Sequence, residues 1–318
     1  MFGLLIKTIK IMNNVIQTED LTRHYGEVLA AEAVHLQIKQ GEIYGFLGLN
    51  GAGKTTTIRM LLGMIRPTRG KAYLFGKKVD PGNMDLWNKV GHMVEMPYAY
   101  PELTVFENLE IFRRLRFLKD VSMINEMMEK LHLDPYRNIK AKNLSLGNAQ
   151  RLGIAKAMIH HPDLLILDEP ANGLDPSGIV QIRELLTDLA NTHGVTIFIS
   201  SHILGEISRL ATRIGIIHEG VMIRESEVGQ LKNSRYRALH VNTTDNRKAF
   251  ELLTQQGYVP AWLPDENLEL KDEAAISQPQ TISALLASKQ LPPIKIVVEE
   301  EDLEHYFFRI IHTKSGQS

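Results

Sequence analysis

The chain has 318 residues, 36 Lys+Arg against 37 Asp+Glu, and 44% hydrophobic residues, which is length and apolar content for one large domain plus a small one. Near-zero net charge leaves no basic excess to displace phosphate counterions, so general nucleic-acid binding is not expected. With no cysteine, disulfides, thiolate chemistry and cysteine metal sites are excluded.

No stretch reaches the roughly 18 consecutive apolar residues that span a bilayer, and the chain is expected to be soluble. Residues 1–11 are apolar with Lys7 and Lys10, but they lack the long apolar core and small-residue cleavage site of a signal peptide. Met12 offers a second start, so residues 1–11 read as an upstream start or frayed extension. From Val15 to Gly26 the text alternates loosely, and Val34–Ile38 alternates strictly before the Gln40-Gly41 turn; both read as antiparallel strands. Tyr25, ending the first of them, is placed either to stack on a purine ring or to serve as an ordinary strand aromatic.

Glu42–Leu47 is an apolar run of strand length, and Thr56–Leu62 has helical apolar spacing. Between them Gly48–Thr55 reads G-L-N-G-A-G-K-T, a full match to the phosphate-binding loop G-x-x-x-x-G-K-[ST] in its strand–turn–helix context. Gly48, Gly51 and Gly53 let successive N–H groups face a polyphosphate, and the following helix N-terminus adds a favourable dipole. Lys54 supplies a point charge to the β- and γ-phosphates, and the Thr55 hydroxyl a ligand to Mg²⁺. With Asn50, Ala52 and Thr56 these residues form the candidate nucleotide site, for ATP or GTP.

Residues 67–91 are rich in turns, and a short strand is expected over Val90–Val94. The two prolines of Glu95–Pro101 rule out helix there. Thr104-Val105-Phe106-Glu107 is a capping box opening a helix through Leu118, and a second helix runs from about Ser122 to Leu131. Ser145 precedes a further helix, which makes it a cap and also places it at an anion-favouring N-terminus. The helical segment spans about residues 96–158.

Leu164–Leu167 is four apolar residues of a central parallel strand ending on Asp168-Glu169. Open α/β sheets place ligands at that end, where Asp168 can hold Mg²⁺ and Glu169 can orient or deprotonate water. Asp175-Pro176 begins a helix through Leu189, and Val195–Ser200 is another buried strand followed by His202, on the same sheet edge as Asp168 and within reach of a γ-phosphate.

In this order, the phosphate loop, Leu144–Gln150, Asp168-Glu169, Asp175 and His202 make the chain resemble the ATP-binding subunit of an ATP-binding-cassette (ABC) transporter over about residues 12–225. The resemblance implies an α/β P-loop cassette with a mostly parallel core sheet, an antiparallel β subdomain and the helical insertion, over residues 12–232. It also implies ATP and Mg²⁺ as cofactors, and a head-to-tail homodimer with two ATP molecules trapped between phosphate loop and signature segment. On that basis Ser145 and Gly147 touch the opposite γ-phosphate, Glu169 is the catalytic carboxylate, and His202 is the switch histidine. Asp175 couples the two sites, and Tyr25 stacks on adenine. The signature departs from Leu-Ser-Gly-Gly-Gln at Leu146 and Asn148. Glu95 stands where most relatives carry the Q-loop glutamine and joins Thr55 and Asp168 as a candidate Mg²⁺ ligand. Glu95 and the text around it, from Val90-Gly91 to Glu107-Asn108-Leu109, are similar to the bacitracin-resistance and lantibiotic-immunity subgroup, whose members work with separate membrane permeases. An exporter ATPase at the inner face of the cell membrane, held there by its permease, is the function so implied.

Ile214–Ile223 reads as a hairpin around Glu219-Gly220. Residues 233–318 read as a small α+β module with a dimerising or regulatory role and no catalytic constellation. The rival reading, a soluble ABC-type ATPase acting on ribosomes or nucleic acid, calls for two cassettes, coiled-coil heptads or a basic arm. This sequence has none of these.

Overall fold

Near-continuous apolar strands and strictly alternating ones sort the chain into a buried parallel sheet and antiparallel flanks. The computed structural model describes residues 14–315, so the reading of residues 1–11 lies outside the described residues. The chain divides between Gly229 and Gln230 into two compact units.

The first unit opens with β1 (Asn14–Tyr25), β2 (Val28–Val34) and β3 (Gln37–Lys39), with β2 and β3 both antiparallel to β1. The alternation at Val34–Ile38 is real in burial, yet the run is broken rather than one strand. Thr18 Oγ1 donates to the Val34 carbonyl and accepts from the Leu36 N–H, both at 2.7 Å, so a side chain takes the place of the ladder there. The buried β4 (Ile43–Leu47) leads into α1 (Lys54–Leu61). The turn-rich text after Pro67 holds an unforeseen hairpin, β5 (Arg69–Leu74) with β6 (Lys77–Lys78). Its Ala72 and Leu74 point into the core while Lys71 before them and Lys77 and Lys78 after them stay outside. Next come α2 (Met84–Trp87) and β7 (Val90–Met93).

The helical segment contains α3 (Val105–Leu115), α4 (Ser122–Lys130) and α5 (Leu146–Met158). The capping box opens α3: Thr104 accepts from the Glu107 N–H and Glu107 accepts from the Thr104 N–H. Loss of such a cap costs about 1 kcal/mol. One turn further on, fully buried Asn108 accepts from the Tyr100 N–H and donates to three carbonyls, which fixes the loop before the helix.

Then follow β8 (Leu164–Asp168), α6 (Pro176–His193), β9 (Thr196–Ser201), the single turn α7 (Leu204–Ile207), β10 (Arg213–His218) and β11 (Val221–Glu227). Strands β10, β4, β9, β8 and β7 lie side by side in that order, all parallel. β11 extends the sheet antiparallel to β10 and joins it to the β2–β1–β5 flank. Phe198 on β9 stacks on Tyr44 at 5.7 Å and tilts against Phe46 at 5.3 Å, at the centre of the core; truncating such a ring to alanine costs about 3–5 kcal/mol.

The unit boundary falls within α8 (Val228–Ser234). The second unit comprises β12 (Arg237–Thr243), α9 (Asn246–Gln255), β13 (Pro260–Trp262), β14 (Leu268–Leu270), α10 (Glu273–Ser277), α11 (Pro279–Ser288), β15 (Pro293–Glu300) and α12 (Leu303–Ser315). Its antiparallel sheet runs β13–β14–β12–β15, and Leu239, Val241, Leu268 and Leu270 form a core with Leu253, Ile282 and Leu286. No helix among the described residues is long and apolar enough to cross a membrane.

Candidate nucleotide and catalytic site

The loop from Gly48 to Thr55 leaves the carboxyl end of β4 and enters α1, so its N–H groups sit at a helix start. Gly53 caps that helix at φ +105°, and a Cβ there would lie 2.3 Å from the Ala30 carbonyl oxygen, so no other residue fits. The loop is anchored at its base: the Gly48 N–H donates to Ser201 O at 3.2 Å, and the Gly220 N–H to Ala52 O at 3.0 Å. Asn50 and Gly51 are exposed at its tip, and Thr56 sits in the first helical turn. Lys54 is buried and arches over the loop, donating to Gly48 O at 2.7 Å and Leu49 O at 3.2 Å.

The same ammonium lies 3.1 Å from Glu169 Oε1, a charge contact without hydrogen-bond alignment. Glu169 follows β8 with φ +49°, a left-handed conformation that costs a non-glycine residue on the order of 1 kcal/mol or more. Surrounding contacts hold it there. Its N–H donates to Ser200 Oγ at 3.0 Å, its carbonyl accepts from Gln150 Nε2 at 3.0 Å, and its Oε2 faces His202 Nδ1 at 2.8 Å. An ionised carboxylate only accepts, so this contact places a proton on Nδ1. Burial raises the pKa of nearby Glu206 on α7, with the Glu169 charge adding to the rise and His202 opposing it.

Asp168, at the end of β8, is buried with both oxygens engaged: Oδ2 accepts from Thr55 Oγ1 at 2.7 Å and Oδ1 from Ser200 Oγ at 2.5 Å. Two hard oxygen donors side by side suit a cation that keeps waters and takes phosphate oxygens for its remaining positions, the habit of Mg²⁺. Among the described residues no cluster of three or more His, Cys, Asp or Glu could hold a metal alone. The third expected ligand, Glu95, is elsewhere engaged. Half-exposed, with φ +59°, it pairs with Arg59 Nη2 at 2.5 Å and forms no hydrogen bond or ion pair with Thr55 or Asp168.

The remaining sequence candidates are dispersed. Tyr25 ends β1, 43% exposed, with the Arg23 guanidinium 4.4 Å above its ring, so one face is covered. Ser145 caps α5, accepting from the Asn148 N–H at 3.3 Å. Leu146 is exposed and lies over Gly173, where a Cβ would come within 2.4 Å of its side chain. Gly147 backs onto the Gly173 carbonyl. Asp175 caps α6, accepting from Ser177 Oγ at 2.8 Å and the Gly178 N–H at 3.0 Å, and these bonds hold its carboxyl below the usual range. Among the described residues, no hydrogen bond or ion pair links Ser145, Gly147 or Asp175 to the phosphate loop of the same chain.

Two residues central to this geometry were not singled out from sequence. Ser200 bridges Asp168 and Glu169, and Gln150 ties α5 to the Glu169 backbone. Their signal was polarity where burial was expected: a serine closing an apolar strand, and a glutamine among the apolar residues of a helix.

A family model described as ABC transporter matches residues 31–172. Over 300 residues the chain is 40% identical to the bacitracin transport ATP-binding protein BcrA of Bacillus licheniformis, covering 94% of this chain and 98% of that protein. It is 36% identical over 219 residues to the lantibiotic transport ATP-binding protein SrtF of Streptococcus pyogenes, covering 69% of this chain and 93% of that protein. Among solved structures, a dimeric bacterial ABC transporter cassette has a TM-score of 0.62 at 28% identity, covering 67% of this chain and 98% of that one. A post-hydrolysis dimer of an ATP-binding cassette with ADP and Pi has a TM-score of 0.62 at 26% identity, with the same coverage of both chains.

Proposed function

The chain belongs to the ABC transporter family as an ATP-binding, ATP-hydrolysing subunit, and we propose that it energises export of a bacitracin- or lantibiotic-like peptide through a separate membrane permease. The observation that carries this reading is the 300-residue match to a bacitracin transport protein, which exceeds the first unit's 229 residues and so extends into the second.

In this reading Lys54 and the loop N–H groups bind the β- and γ-phosphates, and Tyr25 stacks its open face on adenine. Thr55 and Asp168 would hold Mg²⁺, whose charge would offset that of the phosphates, and Glu95 would join them only on leaving Arg59. Glu169 orients and deprotonates the attacking water. Lys54 contacts Glu169 at 3.1 Å and bridges to the phosphates, so nucleotide binding draws the ammonium away and frees the carboxylate. His202 donates Nδ1–H to Glu169; a second donation, from Nε2 to the γ-phosphate, requires the imidazolium form.

Ser145 and Gly147 act on the nucleotide of a second copy, with Asp175 between the two sites, which accounts for their separation from their own phosphate loop. Leu146 tunes that contact. The subunit works at the cytoplasmic face of the membrane through its permease, and residues 233–318 serve dimerisation or regulation.

The test is to tag the chain in its native cell, extract membranes in mild detergent and identify what co-purifies. A polytopic membrane protein at comparable stoichiometry, with bacitracin or lantibiotic sensitivity on deletion, is expected. Ribosomal proteins or nucleic acid instead would overturn the transporter reading. Unchanged dimerisation and activity after deleting residues 233–318 would remove the role given to that segment.

A further inference from the structure

The sheet of the second unit ends in two unlike edges. β13 is three residues long and begins with Pro260, so brevity and a missing N–H blunt it against further pairing. β15 runs for eight residues, and among the described residues no strand pairs with its outer side. Its register with β12 shows which backbone groups are open. The Glu301 N–H donates to Tyr236 O at 2.7 Å, so Glu299 and Val297 also turn their N–H and C=O towards β12. Ile296, Val298 and Glu300, between them, turn theirs outward.

The side chains along this edge are those of a surface that leaves water. Ile296 and Val298 lie opposite Val241 and Leu239 on the face that packs the helices. They are only partly buried where those partners are fully so, and Ile294 is 68% exposed. The ten residues of α11, which packs against β15, include no charge, although Gln280, Thr281, Ala284 and Ala287 are exposed. Interface centres are depleted of charge in this way. On the other face of the strand Lys295 and Glu299 are exposed, two positions either side of Val297. Within one chain they approach only to 3.9 Å, the outer limit of an ion pair, and Glu299 also faces His240 Nδ1 at 3.3 Å.

We propose that β15 pairs antiparallel with β15 of a second copy about a two-fold axis at Val297, making one eight-stranded sheet of the two second units. The proposal rests on the dimerising role given to residues 233–318 and names the surface that performs it. In this register Ile296 of each copy meets Val298 of the other, so groups that already point outward bond to each other. An axis at Ile296 or Val298 would serve the backbone equally, but it would set Lys295 or Glu299 against Val297. The axis at Val297 sets Lys295 against Glu299 twice, a favourable cross-strand pair on each side. A pattern complementary to itself fits a second copy rather than an unrelated strand.

The chain has no cysteine, so an introduced thiol is unique in each molecule. In the full-length protein without nucleotide, Val297→Cys is expected to oxidise to a disulfide-linked dimer. Val297 meets itself in a non-hydrogen-bonded pair with Cα atoms about 4.5 Å apart, within disulfide reach. Lys295→Cys and Glu299→Cys should each stay unlinked alone, their own copies lying about 13 Å apart, and link when mixed. Sedimentation equilibrium should show a nucleotide-free dimer whose dissociation constant rises about ten-fold or more in Ile296→Pro, which removes an outward N–H and leaves the β12 ladder intact. Lys295→Glu should weaken the dimer, and Lys295→Glu with Glu299→Lys should restore it. A wild type that stays monomeric, or a dimer unchanged by Ile296→Pro, overturns the proposal. Deleting residues 233–318 separates the two possible failures. A dimer that the deletion abolishes and Ile296→Pro does not sinks the β15 surface alone; one that survives the deletion sinks the dimerising role with it. If Ile296→Pro does not fold, the charge exchange decides.

Discussion

Replacing Ser200 with alanine should cripple turnover while leaving nucleotide affinity nearly intact. Ser200 is fully buried, and its hydroxyl makes two bonds at once, to Asp168 Oδ1 at 2.5 Å and from the Glu169 N–H at 3.0 Å. The first is a bond to a charged group, of the kind worth about 1.5–3 kcal/mol, and the second a neutral bond worth about 1 kcal/mol. Alanine fills nearly the same volume, so no cavity term adds. A stability loss of about 2.5–4 kcal/mol follows, read as a melting temperature several degrees lower. The kinetic effect comes from Glu169, whose left-handed backbone loses one of its anchors. If misplacing the carboxylate forfeits about 1.5–3 kcal/mol of transition-state stabilisation, kcat falls roughly 10- to 100-fold. Phosphate release under saturating Mg-ATP measures kcat, and fluorescent nucleotide titration measures affinity. Ser200→Thr, which keeps the hydroxyl, should recover part of the loss. A kcat within two-fold of wild type for Ser200→Ala would refute the idea that this hydroxyl positions the catalytic pair.

Lys54→Ala should abolish ATP turnover, since it removes the cation that reaches both the phosphate loop and Glu169; full retained activity in a phosphate-release assay would overturn the site assignment. Glu169→Gln should accumulate an ATP-bound dimer visible by light scattering after size-exclusion, and a chain that stays monomeric at saturating Mg-ATP with its permease present counts against the shared site. Acid should destabilise the first unit between pH 6.5 and 4. His92 and His160 are held at about 4 by burial, with Arg116 assisting, so the unfolded chain takes up their protons first. Stability is therefore full above pH 6.5 and falls as pH drops through that window; His92→Asn with His160→Asn should flatten the melting-temperature curve there, and an unaltered curve would contradict the assignment.

Most of the site was legible because its chemistry is written in contiguous residues whose local structure follows from spacing. Gly48–Thr55 needs only a strand before it and a helix after it, and Thr104 to Glu107 contains its own cap. What escaped depended on distant pairing. Residues 69–78 looked like turns because Gly70 and Gly76 interrupt them, but two buried side chains and a place beside β1 are enough to make a strand of Arg69–Leu74. The break between β2 and β3 came from one threonine hydroxyl sixteen residues away. Ser200 is invisible in the same way, since its importance lies in two bonds to the neighbouring strand's end, 31 and 32 positions earlier.

Glu95 shows a limit of motif position itself. A carboxylate at a Q-loop position suggests a metal ligand only if nothing nearer claims it, and Arg59, one turn beyond the phosphate-loop end of α1, does so at 2.5 Å. That pair is partly exposed, worth no more than about 1 kcal/mol, and so weak enough to be exchanged. Lys156 is the opposite case: buried, with burial lowering its pKa to about 8 and no carboxylate beside it, whereas Arg116 is half-buried and donates to two carbonyls. The α1 helix that begins with Lys54 and Thr55 also carries Arg59, so the Arg59–Glu95 pair ties the segment after β7 to the helix that follows the phosphate loop.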